Sequence, residues 1–168
     1  FTPNLGLLMG TRSGDLEPGV VTYLQKHFGL SSHEIDIQLN KESGLLGLTG
    51  FSDLRDIVDR MQKGDPSCLL AIQLMVHRIK KYIGAYASIM NGLDVLVFTA
   101  GIGENSSVIR DMVLKEMEFL GIQADGDEVD LSDSIKLLSN DESKVKVIVI
   151  PTNEELEIAT QAYELFVQ

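Results

Sequence analysis

A chain of 168 residues with 44% apolar and 23% charged side chains has the composition of one ordinary globular domain. Its net charge of −11 argues against nucleic acid as a partner, because phosphate backbones select clustered Lys and Arg, and against docking on an anionic membrane; solubility accounts for the acidity. There is neither an apolar run of about 18 residues nor a signal-peptide pattern, and Cys68 is the only cysteine, so no intrachain disulfide forms and the expected setting is cytoplasmic, with no nucleic-acid and no membrane partner.

The chain opens on Phe1 in a stretch punctuated by Pro3, Gly6, Gly10, Gly14 and Pro18, which reads as loop; such an opening is expected of a piece of a longer protein. A helix is predicted over 19–29, with Val20, Val21, Leu24 and Phe28 on one face and Gly29 as its stop. Ser31 and Ser32 can cap a short helix with Glu34 in its first turn. Gly44, Gly47 and Gly50 predict turns and close backbone approach over 44–51. Ser52 is the expected cap of a helix from Asp53 to about Gln62. The longest helix follows Asp65-Pro66: Leu69, Ile72, Met75, Val76, Ile79, Ile83, Tyr86 and Met90 keep the helical spacing as far as Asn91-Gly92. Residues 95–98 suit a short buried strand, 100–105 a tight glycine turn, and 106–120 a helix with Val108, Met112 and Leu120 inward. Residues 124–143 are acidic and Ser-rich, as in an exposed loop with a short ordered piece; 145–150 suit a second strand and 154–167 a last helix. Two strand–turn–helix units and a long helix imply an α/β domain with helices packed on a sheet, and both turns fall at the carboxyl ends of their strands, where open α/β sheets bind ligands.

Four segments carry candidate chemistry. In Ala100-Gly101-Ile102-Gly103-Glu104-Asn105 a strand ends in two glycines, and a helix follows. Without Cβ atoms a nucleotide's phosphate or sugar can meet the backbone and the free N–H groups of the helix start; the plain alternative is a tight turn. No Gly-Lys-Ser/Thr follows, so the Walker pattern is absent. In Gly10-Thr11-Arg12-Ser13-Gly14, Arg12 can aim a planar charged fork at a transferring phosphoryl group, or be a solvated loop residue. In Pro151-Thr152-Asn153-Glu154-Glu155 a carboxylate stands where it can organise Mg²⁺, or serve as helix-start charge beside a cap at Thr152 or Asn153. In Ser52-Asp53-Leu54-Arg55, Asp53 and Arg55 can flank a base or ribose, although a first-turn helix role is the plainer one. His27, His33 and His77 lie well apart and no CxxC is present, so zinc has no support; Gly84 within the long helix suggests close packing by another element.

In this order, Met9 to Pro18, His77 to Tyr86, Phe98 to Ser106 and Val149 to Leu156 resemble the signatures of the acetate kinase family, across nearly the whole chain. The resemblance implies a ribonuclease H-like α/β fold with helices packed on a mixed sheet, in a two-domain protein of the acetate/sugar kinase and actin-like superfamily. Residues 1–168 would then be the C-terminal nucleotide-binding domain. It further implies reversible phosphoryl transfer from ATP to acetate with Mg²⁺, giving acetyl phosphate and ADP, and a homodimer. Carried over by position, Arg12 matches the arginine that stabilises the transition state. Gly101, Ile102, Gly103, Glu104 and Asn105 match the nucleotide-binding turn, Asp53, Leu54 and Arg55 a further nucleotide-binding triplet, and Glu154 the carboxylate assigned to Mg²⁺. Several family features are missing: a catalytic Asp, a substrate-binding Arg, a His near the transferred phosphoryl and a His-Leu-Gly-Asn-Gly loop. Gly50-Phe51-Ser52 is also bulkier than the small residues expected before the triplet. The isolated chain is therefore expected to be inactive. The alternatives are a propionate or butyrate kinase, or a non-catalytic nucleotide-binding and dimerisation module. The long helix, with Met75, Ile83, Tyr86 and Met90, is the expected homodimer surface.

Overall fold

The architecture, taken from a computed structural model, is described for residues 6–124, 128–132 and 134–167. The first five residues of the expected N-terminal loop, and residues 125–127 and 133 of the expected acidic loop, lie outside that description. The described chain separates into two compact units, 1–91 and 92–168.

The first unit is helical: α1 (Gly19–Phe28), α2 (Ser32–Lys41), α3 (Gly44–Thr49), α4 (Leu54–Gln62) and α5 (Pro66–Ile89). Local signals act as expected at several ends. Gly29 takes the left-handed conformation that stops α1. Ser31 and Glu34 form a reciprocal capping box on α2, which is longer than a short helix. Asp65 caps α5 by accepting from the amides of Ser67 and Cys68, with Pro66 as its first residue. The face expected of α1 is only half-buried, and its Phe28 is exposed.

Two expectations in this unit are corrected. Residues 44–49 form a helical turn, α3, rather than a string of turns. Its amides at Leu45 and Leu46 donate to the carbonyls of Met9 and Gly10, at 2.8 Å each, so a loop distant in sequence satisfies the donors that a helix start leaves free. Close approach does hold at Gly44: with φ +63, a Cβ there would stand 2.2 Å from the Met9 carbonyl oxygen. The cap of α4 is Asp53, which accepts from the Arg55 amide, and not Ser52. The carboxylate reaches the second helical amide, one residue further along than the sequence pattern suggested.

In α5, Cys68, Ala71, Ile72, Met75, Val76 and Ala87 are buried. Met75, expected at a dimer surface, is thus taken by this chain's own core, whereas Tyr86, Ile89 and Met90 are exposed. Close packing by another element of this chain is not met at Gly84: beyond its own helical turn, no heavy atom of the described residues lies within 4 Å of a Cβ built there.

The second unit contains β1 (Val95–Phe98), α6 (Ala100–Asn105), α7 (Ser107–Leu114), a single 3₁₀ turn (Glu118–Leu120), β2 (Val129–Ser132), β3 (Ile135–Leu137), β4 (Lys146–Val149) and α8 (Glu154–Val167). The strands form one mixed sheet in the order β1-β4-β3-β2, with β1 and β4 parallel and the other pairs antiparallel. A mixed α/β class is thereby met.

Three details differ from expectation. Strand β1 is not fully buried: it is an edge strand of this sheet, with Val95 and Val97 exposed. The predicted helix 106–120 ends at Leu114, because Lys115 turns extended and Glu116 adopts φ 62. The inward side chains are Ile109, Arg110 and Val113 rather than Val108, Met112 and Leu120, and the break lets Met117 and Ile122 bury. The acidic stretch also supplies β2 and β3, paired across an irregular register at Asp130 and Ser132. Val129-Asp130-Leu131-Ser132 and Ile135-Lys136-Leu137 do alternate apolar and polar residues, but the runs are short and Val129 and Leu131 are exposed, so the acidic composition masked a legible pattern.

Candidate functional site

Parallel pairing aligns β1 and β4 residue for residue, Val95 with Lys146 through Phe98 with Val149. Both strands therefore finish on the same edge of the sheet. The Ile150 amide donates to the Phe98 carbonyl at 2.9 Å, and the Thr99 hydroxyl donates to the Ile150 carbonyl at 2.8 Å. The two strand-end turns are side by side as a result.

The glycine turn is not a plain loop. Ala100 adopts φ 58 and starts α6 directly after the strand, a left-handed conformation that an alanine takes at a cost of about 1 kcal/mol. The two glycines differ in purpose. A Cβ on Gly103 would lie 3.2 Å from the Phe98 carbonyl carbon, so Gly103 lets the turn pack on its own strand. A Cβ on Gly101 would meet nothing within 4 Å, so Gly101 fronts open space. Ile102 is exposed, and the Asn105 amide nitrogen donates back to the Gly101 carbonyl at 2.9 Å.

Glu104 ties the two turns together. Its Oε1 accepts from the Thr152 amide at 2.8 Å and from the Thr152 hydroxyl at 2.9 Å. These bonds, the backbone one foremost, hold the carboxyl below its ordinary value of 4.5. Asn153, not Thr152, caps α8 by accepting from the Leu156 amide, and Glu154 stands exposed at the first position of that helix. From behind, the buried Arg110 donates to the carbonyls of Gly103 at 3.0 Å and Glu104 at 2.8 Å and pairs with Glu128. Arg110 Nε is buried without a partner among the described residues. Glu128 also bonds Lys136 at 2.5 Å, and mainly that bond lowers its pKa despite partial burial. An open depression of ≈ 1130 Å³ lies here, lined by Glu104, Asn105, Arg110 and Lys136 among others.

In the first unit, Arg12 is half-buried, and no hydrogen bond or ion pair holds its guanidinium among the described residues. Its backbone is held instead: Met9 N–H donates to the Arg12 carbonyl at 3.3 Å, and the neighbouring Ser13 N–H donates to the Leu39 carbonyl at 3.0 Å. A Cβ on Gly10 would lie 3.1 Å from the Ser52 carbonyl oxygen, so the Arg12 loop packs beside the start of the 53–55 triplet. There the exposed Arg55 forms a two-pronged pair with Asp53, Nε to Oδ1 at 3.0 Å and Nη2 to Oδ2 at 2.5 Å, while Leu54 is half-buried. The Arg55 bonds lower Asp53 to about 2.

Sequence reading did not reach Ala100, Arg110, or the bond from Thr152 to Glu104. Arg110 did carry a signal: it is a charged residue between Ile109 and Val113 on an inward helix face. The bond spans 48 residues and had none.

Comparison with known proteins bears on these segments together. The Acetokinase family model matches residues 1–160. The acetate kinase of Carboxydothermus hydrogenoformans is 50% identical over 167 residues, which is 99% of this chain and 42% of that protein. That of Flavobacterium johnsoniae is 46% identical over 166 residues, covering 98% and 42% respectively. Among solved structures, Porphyromonas gingivalis acetate kinase matches with a TM-score of 0.87 at 45% identity, over 98% of this chain and 42% of its own. A propionate kinase from Francisella tularensis matches with a TM-score of 0.84 at 40% identity, over 94% and 40%. The chain spans less than half the length of these relatives, and the ribonuclease H-like fold class expected of it agrees with the match.

Hydrogen bonds to a carboxylate favour its charged form, so the Glu104 contribution to stability is complete above the ordinary carboxyl range and is lost as pH falls through the lowered folded value. Thr152→Val removes the hydroxyl donor and leaves the amide. The Glu104 pKa, followed by carboxyl NMR, should rise part of the way toward its ordinary value; no movement would mean that the hydroxyl bond is not made in solution.

Proposed function

Since the chain belongs to the acetokinase family, we propose that it is the C-terminal, nucleotide-binding domain of a two-domain acetate kinase, incomplete as a catalyst by itself. The observation that carries the nucleotide assignment is the open space before Gly101, on a strand-end turn stiffened by Thr152 and Arg110. ATP bound with Mg²⁺ supplies the γ-phosphoryl: an acetate oxygen bonds to the γ-phosphorus as the bridging bond to ADP breaks.

The chain's own residues then have definable tasks. The Gly101 backbone admits the nucleotide, and Gly103, Glu104 and Asn105 keep the turn in shape. Asp53, Leu54 and Arg55 form a further nucleotide contact, with Asp53 orienting the Arg55 fork. Arg12, without a partner of its own among the described residues, spreads N–H donors toward charge on the transferring phosphoryl. No group of three or more His, Cys, Asp or Glu among the described residues is placed to hold a metal ion. Glu154 nevertheless fits Mg²⁺ in its usual manner with nucleotides, in which one or two carboxylates act directly or through water and phosphates and waters complete the shell. Acetate is the proposed acceptor, in line with the names of the curated relatives; the likeness to a propionate kinase supports propionate as the second reading.

Nucleotide binding by the 168-residue chain is the direct test. ATP should bind weakly by calorimetry, with no acetyl phosphate trapped as hydroxamate. Gly101→Val should remove the binding while leaving the fold intact, because the new Cβ enters open space. Equal ATP affinity in a folded Gly101→Val chain would reject the site.

Arg12→Lys is the second test, made in a full-length enzyme carrying this sequence. It keeps the charge and loses the planar fork, so kcat should fall by about 10²-fold with little change in the KM for ATP. Parallel assays with acetate and propionate rank the two acceptors. A kcat within about threefold of the parent would make Arg12 a solvated loop residue.

A homodimer through the exposed end of α5 is also proposed. Tyr86, Ile89 and Met90 are uncovered there, and Gly84 leaves room for a second helix. Sedimentation of the full-length enzyme at micromolar concentration should give a dimer that Tyr86→Glu weakens; a monomeric parent would refute it.

A further inference from the structure

Two side chains of α5 lie against Gly6 and Gly14, glycines on either side of Arg12. Arg78 donates from Nη1 to the carbonyls of Gly6 at 3.2 Å and Ser13 at 2.7 Å, and from Nη2 to that of Asp15 at 3.1 Å. Tyr82, one turn further along the same helix, donates its hydroxyl to Asp15 Oδ2 at 2.7 Å. Gly14, with φ +71, lies against the first and against the loop's own backbone: a Cβ there would stand 2.4 Å from the Leu7 carbonyl oxygen and 2.5 Å from Arg78 Nη1. Gly6, with φ +87, makes room for the second: a Cβ there would stand 2.0 Å from the Tyr82 oxygen. The residue that follows Arg12 is held on both sides: the Ser13 amide donates to the Leu39 carbonyl and the Ser13 carbonyl accepts from Arg78.

We propose that Arg78 and Tyr82 are the positioning pair for Arg12, an inference that rests on the reading of Arg12 as the group acting on the transferring phosphoryl. The Arg12 side chain has no bond that aims it among the described residues, so its direction is inherited from the backbone. That backbone is set by a planar guanidinium spanning three carbonyls, which a lysine ammonium cannot span. A displacement of about 1 Å at such a group is enough to lower a rate by about 10²-fold, and a partial loosening lowers it less.

The test is a pair of double-mutant cycles in a full-length enzyme carrying this sequence, with hydrogen exchange measured on the same proteins. Arg78→Lys should lower kcat about tenfold, and Tyr82→Phe about threefold, with the KM for ATP within about twofold. In an Arg12→Ala background each should change kcat by less than about twofold, since nothing is left to aim. Amide exchange over residues 9–15 should quicken in Arg78→Lys while α4 stays protected. Losses of equal size in both backgrounds, or an unchanged kcat in a folded Arg78→Lys enzyme, overturn the proposal. Should Arg78→Lys fail to fold, the Tyr82→Phe cycle makes the same decision. An Arg12→Ala enzyme with undiminished kcat refutes instead the role given to Arg12, a result separable from the other two.

Discussion

The parallel register of β1 and β4 is the constraint on which the second unit depends. A parallel pair cannot be closed by a tight turn, so the chain must travel away and return, here through α6, α7 and the β2–β3 hairpin. What that detour secures is coincidence of the two strand ends. Two short turns, 48 residues apart at Glu104 and Thr152, become one surface. A slip by one residue would turn Phe98 to the other face and carry the Thr152 donors away from Glu104.

The turn itself shows how a backbone is kept open without being loose. Ala100 holds a left-handed φ, Gly103 packs on the strand, and Arg110 ties the carbonyls of Gly103 and Glu104 from the buried side. Strain at one residue is tolerated because the neighbours on both sides are fixed. Of its two glycines, Gly101 is the one with space in front of it. Arg110 belongs to the same economy: its charge is matched by Glu128, and Lys136 in turn braces that carboxylate, so a buried cation is kept within a bonded chain.

The first unit solves a similar problem with a loop in place of a strand end. Residues 9–15 are bonded to three separate stretches of sequence: the carbonyls of Met9 and Gly10 accept from α3, the Ser13 amide donates to the end of α2, and the carbonyls of Ser13 and Asp15 accept from Arg78 of α5. An arginine carried on such a loop needs no partner of its own to be held near one direction, which leaves its donors for something else. In each unit one group proposed to meet a ligand, Gly101 or Arg12, is itself unencumbered, while the backbone around it is bonded.

What was legible in the amino-acid sequence was whatever acts within one turn of chain. The Ser31–Glu34 capping box, Asp65-Pro66 at the head of α5 and the Gly29 stop are short-range matters of donors, acceptors and φ. The ordered set of glycine, arginine and carboxylate motifs was likewise a property of the string, and it led to the family. Tertiary structure alone decided which of two glycines has space before it, why Gly6 and Gly14 flank Arg12, and that Arg78 lies against carbonyls 63 to 72 residues away. It also broke the helix expected over 106–120 and drew two strands from an acidic stretch. Most of those outcomes rest on contacts between residues far apart in the chain, for which periodicity and propensity carry no term; the β2–β3 pairing is the exception, since Val129 and Leu137 lie close in sequence.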